Sequence, residues 1–358
     1  MPSILNLKQS VERFLNCAAD DKPRPFANAL VTQWGQGSCY INAALQVLFA
    51  SHRMQQCLAQ VLSECRFRAE TWKFLADTNI NGIREKAEAR ITEAAWSDAT
   101  LALTLAAAMQ GSAGDGRSLR GRPLFPALFL RECYGGPQED SMHFLLACLE
   151  RCPRSLPHCT GRFHPALLRC AACGQQQAGG GHADEQLFTS LQVQTHCKDS
   201  GDPCQTVQNA LHASWTETLD DDPDFTGRCP SCPNLWKHKS QTVQNPPAVL
   251  LVGIKQWAQN IENDGSVTTH RRSSGMRLDE TVQIEAATYS LHGVIFHQGL
   301  SPGSGHYVAV ARHGVDAEPF FLYNDACRRA TTRTALVCDT HFFGEQFHAT
   351  GLLYDRVG

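Results

Sequence analysis

Hydrophobic positions recur with a helical period in the first part of the chain and with a strand-like period in the rest. Ile4, Leu7, Val11, Phe14 and Leu15 are spaced as on a helix until Pro23 and Pro25 break the pattern. From Val31 to about Glu150 the signals are mainly helical, and Tyr40 to Ala50 sets Ile41, Ala44, Leu45, Leu48 and Phe49 on one face. Gly111 to Pro123, rich in Gly, Ser and Arg, reads as a surface loop within this part. From Cys152 onward, turn residues, cysteine pairs and short alternating runs take over. Leu187 to Val193 predicts a strand, and Ala248 to Ile254 a strand buried on both faces. Tyr289 to Phe296, Tyr307 to Arg312 and Phe320 to Asn324 predict three more. The polar stretch Ile261 to Arg277, which holds Asp264-Gly265, predicts an exposed hairpin or mobile loop. Helices first and strands after predict an α+β enzyme with its site where the two halves meet.

Composition narrows the classes of function. The 358 residues are 42% hydrophobic and 19% charged, enough apolar material for a sizeable core and too much for a disordered chain. With 32 Lys and Arg against 35 Asp and Glu the net charge is −3, which argues against a bulk electrostatic grip on nucleic acid or an anionic membrane. Sixteen cysteines would suit a disulfide framework only in a small exported fold. Met1 to Leu15 lacks the continuous apolar core of a secretory leader, and Ala99 to Met109 and Ala248 to Ile254 are too short to span a bilayer. The expectation is therefore reduced thiols in an intracellular protein, cytoplasmic or nuclear, with catalysis and metal binding as their uses.

Ser38-Cys39 stands immediately before the Tyr40 to Ala50 helix. Ser38 as N-cap places Cys39 in the first turn, where unpaired N–H groups and the positive end of the helix dipole favour a thiolate. Gly35 and Gly37 upstream allow a substrate carbonyl to approach the backbone closely. A buried structural cysteine beside a turn would leave the same local pattern, so the assignment needs a base and a group to orient it. Gly305-His306-Tyr307 opens a strand after a Pro- and Gly-containing loop, and Phe320 to Asp325 is a strand ending in Asn324 and Asp325. If the two strands are neighbours, Asn324 can accept from the His306 ring and fix its tautomer. His292, His297 and His313 are rival bases.

Cys170-Ala171-Ala172-Cys173 and Cys229-Pro230-Ser231-Cys232 form two C-x-x-C knuckles beside the turn residues Gly174 and Pro230. Four thiolates from two such turns suit a tetrahedral Zn²⁺ in a structural role; unligated thiols or two redox pairs are the alternatives. Cys197 and Cys204, between the pairs, are weaker ligand candidates.

Together these blocks resemble the ubiquitin-specific proteases, papain-like cysteine deubiquitinases. Gln36 to Gln46 resembles that family's Cys box, and Gln138-Glu139-Asp140-Ser141-Met142-His143-Phe144-Leu145 its Gln-Gln-Asp-Ala-x-Glu-Phe-Leu box. The knuckles match its zinc-binding fingers, with Asp184 to Val193 similar to the strand after the first knuckle. Asn245 to Leu250 with Gly253 to Trp257, Tyr289 to Val294 through Gly305 to Tyr307, and Gly351 to Tyr354 resemble its later blocks, all in family order. The resemblance implies an α+β, papain-like cysteine protease fold with a helical thumb (about 27–150), zinc-binding β fingers (151–245) and a β-rich palm (246–356), after an N-terminal extension over 1–26. It implies Cys39 as nucleophile, His306 as base, Asn324 as third member and Asp325 as an extra polar group near the oxyanion. It implies structural zinc on Cys170, Cys173, Cys229 and Cys232. The expected partner is ubiquitin or a ubiquitin-like modifier and its conjugates, with no nucleic acid and no membrane, and the modifier's tail cleft would include Asp140, His143, Gly305 and Tyr307. The expected activity is thiol-dependent hydrolysis after the modifier's C-terminal glycine.

The chain departs from the family pattern at three places. The family's oxyanion-donating Asn, five residues before the Cys, is here Trp34, and a Gly three residues before it is Gln36; Gln33 or Gln36 is the expected substitute donor. His143 stands where the family has a Glu that pairs with an Arg on the ubiquitin tail, which predicts weaker discrimination for ubiquitin over modifiers lacking that Arg. Gln256-Trp257 replaces Arg-Phe, a change expected to affect packing rather than chemistry. Trp34, Gln36 and His143 also motivate an alternative, a weakly active or inactive ubiquitin-binding scaffold with the same fold. A different papain-like hydrolase or acyltransferase would explain the triad but not the knuckles.

Overall fold

The computed structural model describes residues 39–60, 105, 140–150 and most of 156–358. Within the last span 165–166, 171, 179–185, 197–201, 219–227, 233–237, 241, 262–265, 273, 302–303, 313–318, 326 and 332–335 are not described. The expected helix before Pro23, the Ser38 cap, Trp34 with Gln33 and Gln36, the Gly111 to Pro123 loop, Cys197 and His313 all lie outside the described residues. The helices used below are α1 (Cys39–Ala50), α2 (Ser141–Glu150) and α3 (Val207–Trp215). The first strands are β1 (Gly161–Phe163), β2 (Leu167–Arg169), β3 (Gln176–Ala178), β4 (Gln186–Phe188), β5 (Ser190–Gln194), β6 (Thr216–Thr218), β7 (His238–Ser240), β8 (Val243–Asn245) and β9 (Val249–Lys255). Then follow β10 (Trp257–Ile261), β11 (Val267–Arg271), β12 (Thr281–Ile284), β13 (Ala287–Ser301), β14 (Ser304–Ala311), β15 (Phe321–Asn324), β16 (Cys327–Ala330), β17 (Asp339–Phe342) and β18 (Glu345–Arg356). Among the described residues no helix is long and apolar enough to cross a membrane.

The chain divides into two compact units, residues 1–158 with 302–332 and residues 159–301 with 333–358. In the first, α1 is buried along its whole length, all twelve residues including Asn42 and Gln46. The one-sided apolar face read from the sequence is thus incomplete: small Ala43, Ala44 and Ala50 let other elements of the unit close over the remaining faces. α2 crosses against it through an edge-on pair of Tyr40 and Phe144, 5.9 Å between centroids. Strands β14, β15 and β16 run antiparallel in that order, Ala309 facing Tyr323 and Asn324 facing Cys327. Two residues join β15 to β16, and Asp325, the first of them, has φ +45° as a tight primed hairpin turn requires.

The second unit is built on the antiparallel trio β13-β18-β9, with β5 alongside β9 in parallel, β12 on β13 and β17 on β18. β9 is buried from Val249 to Ile254 on both faces, as its unbroken apolar run predicts. The single strand expected over Leu187 to Val193 is instead two. Phe188 on β4 stacks on Phe163 of β1, whereas Leu191 and Val193 turn inward beside β9, so the chain changes sheet at Thr189. The polar stretch after Trp257 forms the hairpin β10–β11. Gln256 is buried and its amide donates to the Ala349 carbonyl and the Cys338 thiol, while the Arg271 guanidinium lies 4.3 Å from the centre of the Trp257 ring. Gln256 and Trp257 are both engaged in contacts within this unit. The remaining sheet, order β3-β2-β7-β6, consists of three-residue strands.

Candidate functional site

Cys39 is the first residue of α1 and is buried. His306 enters from β14 directly after Gly305, whose φ of +135° lies in the region glycine favours. Extending the β14–β15 register by one residue sets Asn324 opposite Val308, so His306 and Asn324 are diagonal neighbours on one face. There the His306 Nε2 and Asn324 Oδ1 are 2.7 Å apart, a hydrogen bond in which the ring N–H donates. A hydrogen bond with the Cys39 side chain is the strongest influence on the His306 ring. It raises the pKa to about 9 from the usual 6.5; burial opposes this, and the Asn324 bond and the charges of Cys39 and Asp325 add to it. The half-buried imidazole therefore carries its proton at neutral pH.

α2 holds this arrangement at its own N-terminus. Asp140 caps the helix, its Oδ1 accepting the His143 backbone N–H at 2.9 Å, and its Oδ2 accepts the Tyr307 hydroxyl at 3.3 Å. The Ser141 hydroxyl donates to the Tyr40 carbonyl at 2.7 Å, next to Cys39. Burial, then the Asp140 charge, raises the Tyr307 pKa far above that of a free phenol, so its hydroxyl remains a donor. One carboxylate and one hydroxyl thus tie α2 to the strand that carries His306 and to the helix that carries Cys39. Of the residues expected around a modifier tail, Asp140 and Tyr307 bond each other, Gly305 is exposed beside His306, and His143 is exposed on the first turn of α2.

Sequence reasoning missed Asn42. It is buried on α1, three residues after Cys39, and its Nδ2 donates to Asp325 Oδ1 at 2.7 Å. Its spacing from the cysteine, on a helix otherwise almost wholly apolar, was the available signal. The rival histidines on β13 are engaged elsewhere. His292 is buried 3.8 Å from Asp355, and His297 is buried with its Nδ1 accepting from Arg271 at 2.6 Å.

In the second unit the four knuckle cysteines converge. Cys170 Sγ lies 3.5 Å from Cys232 Sγ, Cys173 Sγ 3.5 Å from Cys229 Sγ and 3.6 Å from Cys232 Sγ, and all four sulfurs fall within 4.8 Å of one another. The first knuckle turns through Gly174, φ +72°, whose N–H donates to the Cys170 carbonyl, while the Cys170 N–H donates to Gln175. Tetrahedral Zn–S bonds of about 2.3 Å set sulfurs about 3.8 Å apart, so this donor set fits the ion. Cys204 is buried and lies outside the four-sulfur cluster.

A family model described as ubiquitin carboxyl-terminal hydrolase matches residues 35–341. Comparison with curated proteins gives no match. Among solved structures, the chain resembles the SAGA DUB module of Ubp8, Sgf11, Sus1 and Sgf73 bound to ubiquitin aldehyde, at 13% identity and TM-score 0.64, covering all of this chain and 77% of that one. It also resembles a cysteine-to-alanine Ubp8 form of that module bound to monoubiquitin, at 13% identity and TM-score 0.63, covering all of this chain and 76% of that one. A yeast SAGA DUB module carrying an Sgf73 mutant is similar at 12% identity and TM-score 0.54, with the same 100% and 76% coverage.

Proposed function

The chain belongs to the ubiquitin carboxyl-terminal hydrolase family, with its papain-like fold, and we propose that it hydrolyses isopeptide or peptide bonds after the C-terminal glycine of ubiquitin or a ubiquitin-like modifier on conjugated proteins. The observation that carries this reading is the line of contacts from Cys39 through His306 to Asn324. The Cys39 thiolate attacks the glycine carbonyl carbon, and the π electrons move to oxygen. The tetrahedral intermediate collapses as the C–N bond breaks, and the His306 imidazolium gives its proton to the leaving amine. A water molecule then passes a proton to His306 and attacks the thioester, releasing the modifier's carboxylate and regenerating Cys39. Asn324 holds the ring in the tautomer this needs. A proton held up to about pH 9 suits the first half of the cycle, in which His306 must be an acid.

The remaining roles follow from this reading. Gln33 or Gln36 supplies the oxyanion donor in place of the family's Asn, and Asp140, His143, Gly305 and Tyr307 border the tail of the modifier. Cys170, Cys173, Cys229 and Cys232 hold Zn²⁺ that stiffens their region; with four thiolates bound, the ion has no position left for substrate.

The test uses ubiquitin carrying a C-terminal electrophile, mixed with wild type and with Cys39→Ala. An adduct on wild type only supports the reading. Noncovalent binding without an adduct favours the scaffold that Trp34, Gln36 and His143 suggest, and neither adduct nor binding sends the assignment to another modifier.

A further inference from the structure

The bond between Asn42 and Asp325 takes no part in the reaction just described, yet it joins the two elements that carry it. Asn42 shares a face of α1 with Cys39, and its amide meets a carboxylate 283 residues away in sequence. Asp325 sits in the two-residue turn immediately after Asn324, in a left-handed conformation that Asp accepts more readily than most residues. The hairpin itself does little to hold that turn: β15 has four residues, and β16 is exposed throughout. We propose that Asn42 is a positioning residue, fixing the Asp325 turn from the nucleophile's own helix so that Asn324 keeps the His306 ring aimed at Cys39.

This inference rests on the roles given to Cys39 and His306 above. The contacts make a closed circuit, from Asn42 to Asp325, along the backbone to Asn324, across to His306 and back to Cys39 on α1. An amide is suited to the post because it donates to the carboxylate without bringing a positive charge. Asp325 can then still act on His306, whose proton its charge helps to hold. The charged groups that act on the ring are Cys39 from α1 and Asp325 from the turn, while Asp140 of α2 faces the adjacent Tyr307.

The experiment measures alkylation of Cys39 by iodoacetamide at pH 7, quantified on the Cys39 peptide, together with kcat and KM on a ubiquitin C-terminal fluorogenic substrate. Asn42→Ala should slow alkylation and lower kcat by about tenfold or more, the scale of one lost hydrogen bond to a charge, with KM nearly unchanged. Asn42→Asp, nearly the same size, should be at least as damaging, because it sets acceptor against acceptor; a residue that merely filled space would tolerate it. In an Asp325→Ala background, Asn42→Ala should add little, since the two act through one contact. Wild-type alkylation in both Asn42 variants, or an equal loss in the Asp325→Ala background, overturns the proposal. Should Asn42→Ala not fold, Asn42→Asp with the cycle built on it decides the question. Alkylation needs no modifier: Asn42-dependent reactivity without turnover of any ubiquitin or ubiquitin-like substrate would reject the proposed function and leave this inference standing.

Discussion

The surroundings of Cys39 and those of the four-cysteine cluster are stabilised in opposite ways. Cys39 starts a helix with no exposed residue, and the polar groups around it each meet a partner from another element: Ser141 with Tyr40, Asp140 with Tyr307, Asn42 with Asp325. That region has an apolar core first, and its chemistry is set on top of it. The knuckles lie beside strands of three residues, and the buried cluster there is Leu168 with Cys170 and Cys229 themselves, Cys232 packed at its margin. Among the described residues, so little apolar surface is buried there that it cannot offset the conformational entropy of ordering the chain. One region holds its functional groups in place, whereas the other would depend on the metal its four cysteines are proposed to hold.

The sharpest way to break that contrast is to remove the metal proposed for the four cysteines. Zinc bound by four thiolates contributes folding free energy directly, on the order of 10 kcal/mol in isolated zinc-finger peptides. Chelation, or Cys170→Ser, should release one zinc per chain and make the segment between Cys170 and Cys232 the first site of limited proteolysis. Buried α1 should stay protected under the same conditions. A chain that contains no zinc as purified, or whose knuckle segment resists protease equally with and without chelator, removes the distinction.

The same contrast explains what could be read in the sequence. The knuckles were legible because two C-x-x-C turns are local patterns whose chemistry needs little context, and the sulfurs do converge. His306 and Asn324 were legible as the two ends of strand-like runs, because neighbouring antiparallel strands bring diagonal residues together. Asn42 was not, since its meaning lies in a contact across 283 residues. The strand break at Thr189 was hidden for a related reason: the alternation runs on while the partner changes, β1 for Phe188 and β9 for Leu191. Periodicity likewise reports the apolar face of α1 but not that its polar residues are buried as well.

The catalytic side of the comparison is sharpened by pH. With the His306 pKa raised to about 9, activity that needs the imidazolium should be kept through neutral pH and lost as pH rises through about 9. The sign is the same for stability: a raised pKa contributes in full below about 6.5 and is lost as pH climbs to about 9. Asn324→Ala removes one of the causes that raise it, so the alkaline limb of kcat should move down, by about one pH unit for a hydrogen bond of ordinary strength to a charged group. An alkaline limb that stays in place when Asn324 is removed would mean that the ring's proton affinity is set by Cys39, burial and Asp325 without the Asn324 bond.

The smallest expected effect is at His143, and its size follows from exposure. Its backbone N–H is committed to the Asp140 cap, and the residue is exposed on the first turn of α2. Asp140 beneath it already bonds the cap and Tyr307, so it is less free than an unengaged carboxylate to make up for the Glu that the family carries at position 143. His143→Glu would place an acid where a basic tail residue of ubiquitin is expected to pass, without disturbing the cap, which uses only the backbone. An exposed ion pair is worth roughly 0.2–1 kcal/mol, so kcat/KM for ubiquitin should rise by about 1.4- to fivefold, less at high salt. A modifier whose tail lacks the Arg should gain nothing from the change. If both modifiers respond alike, position 143 does not read the tail, and selectivity in this chain is set by residues deeper in the cleft.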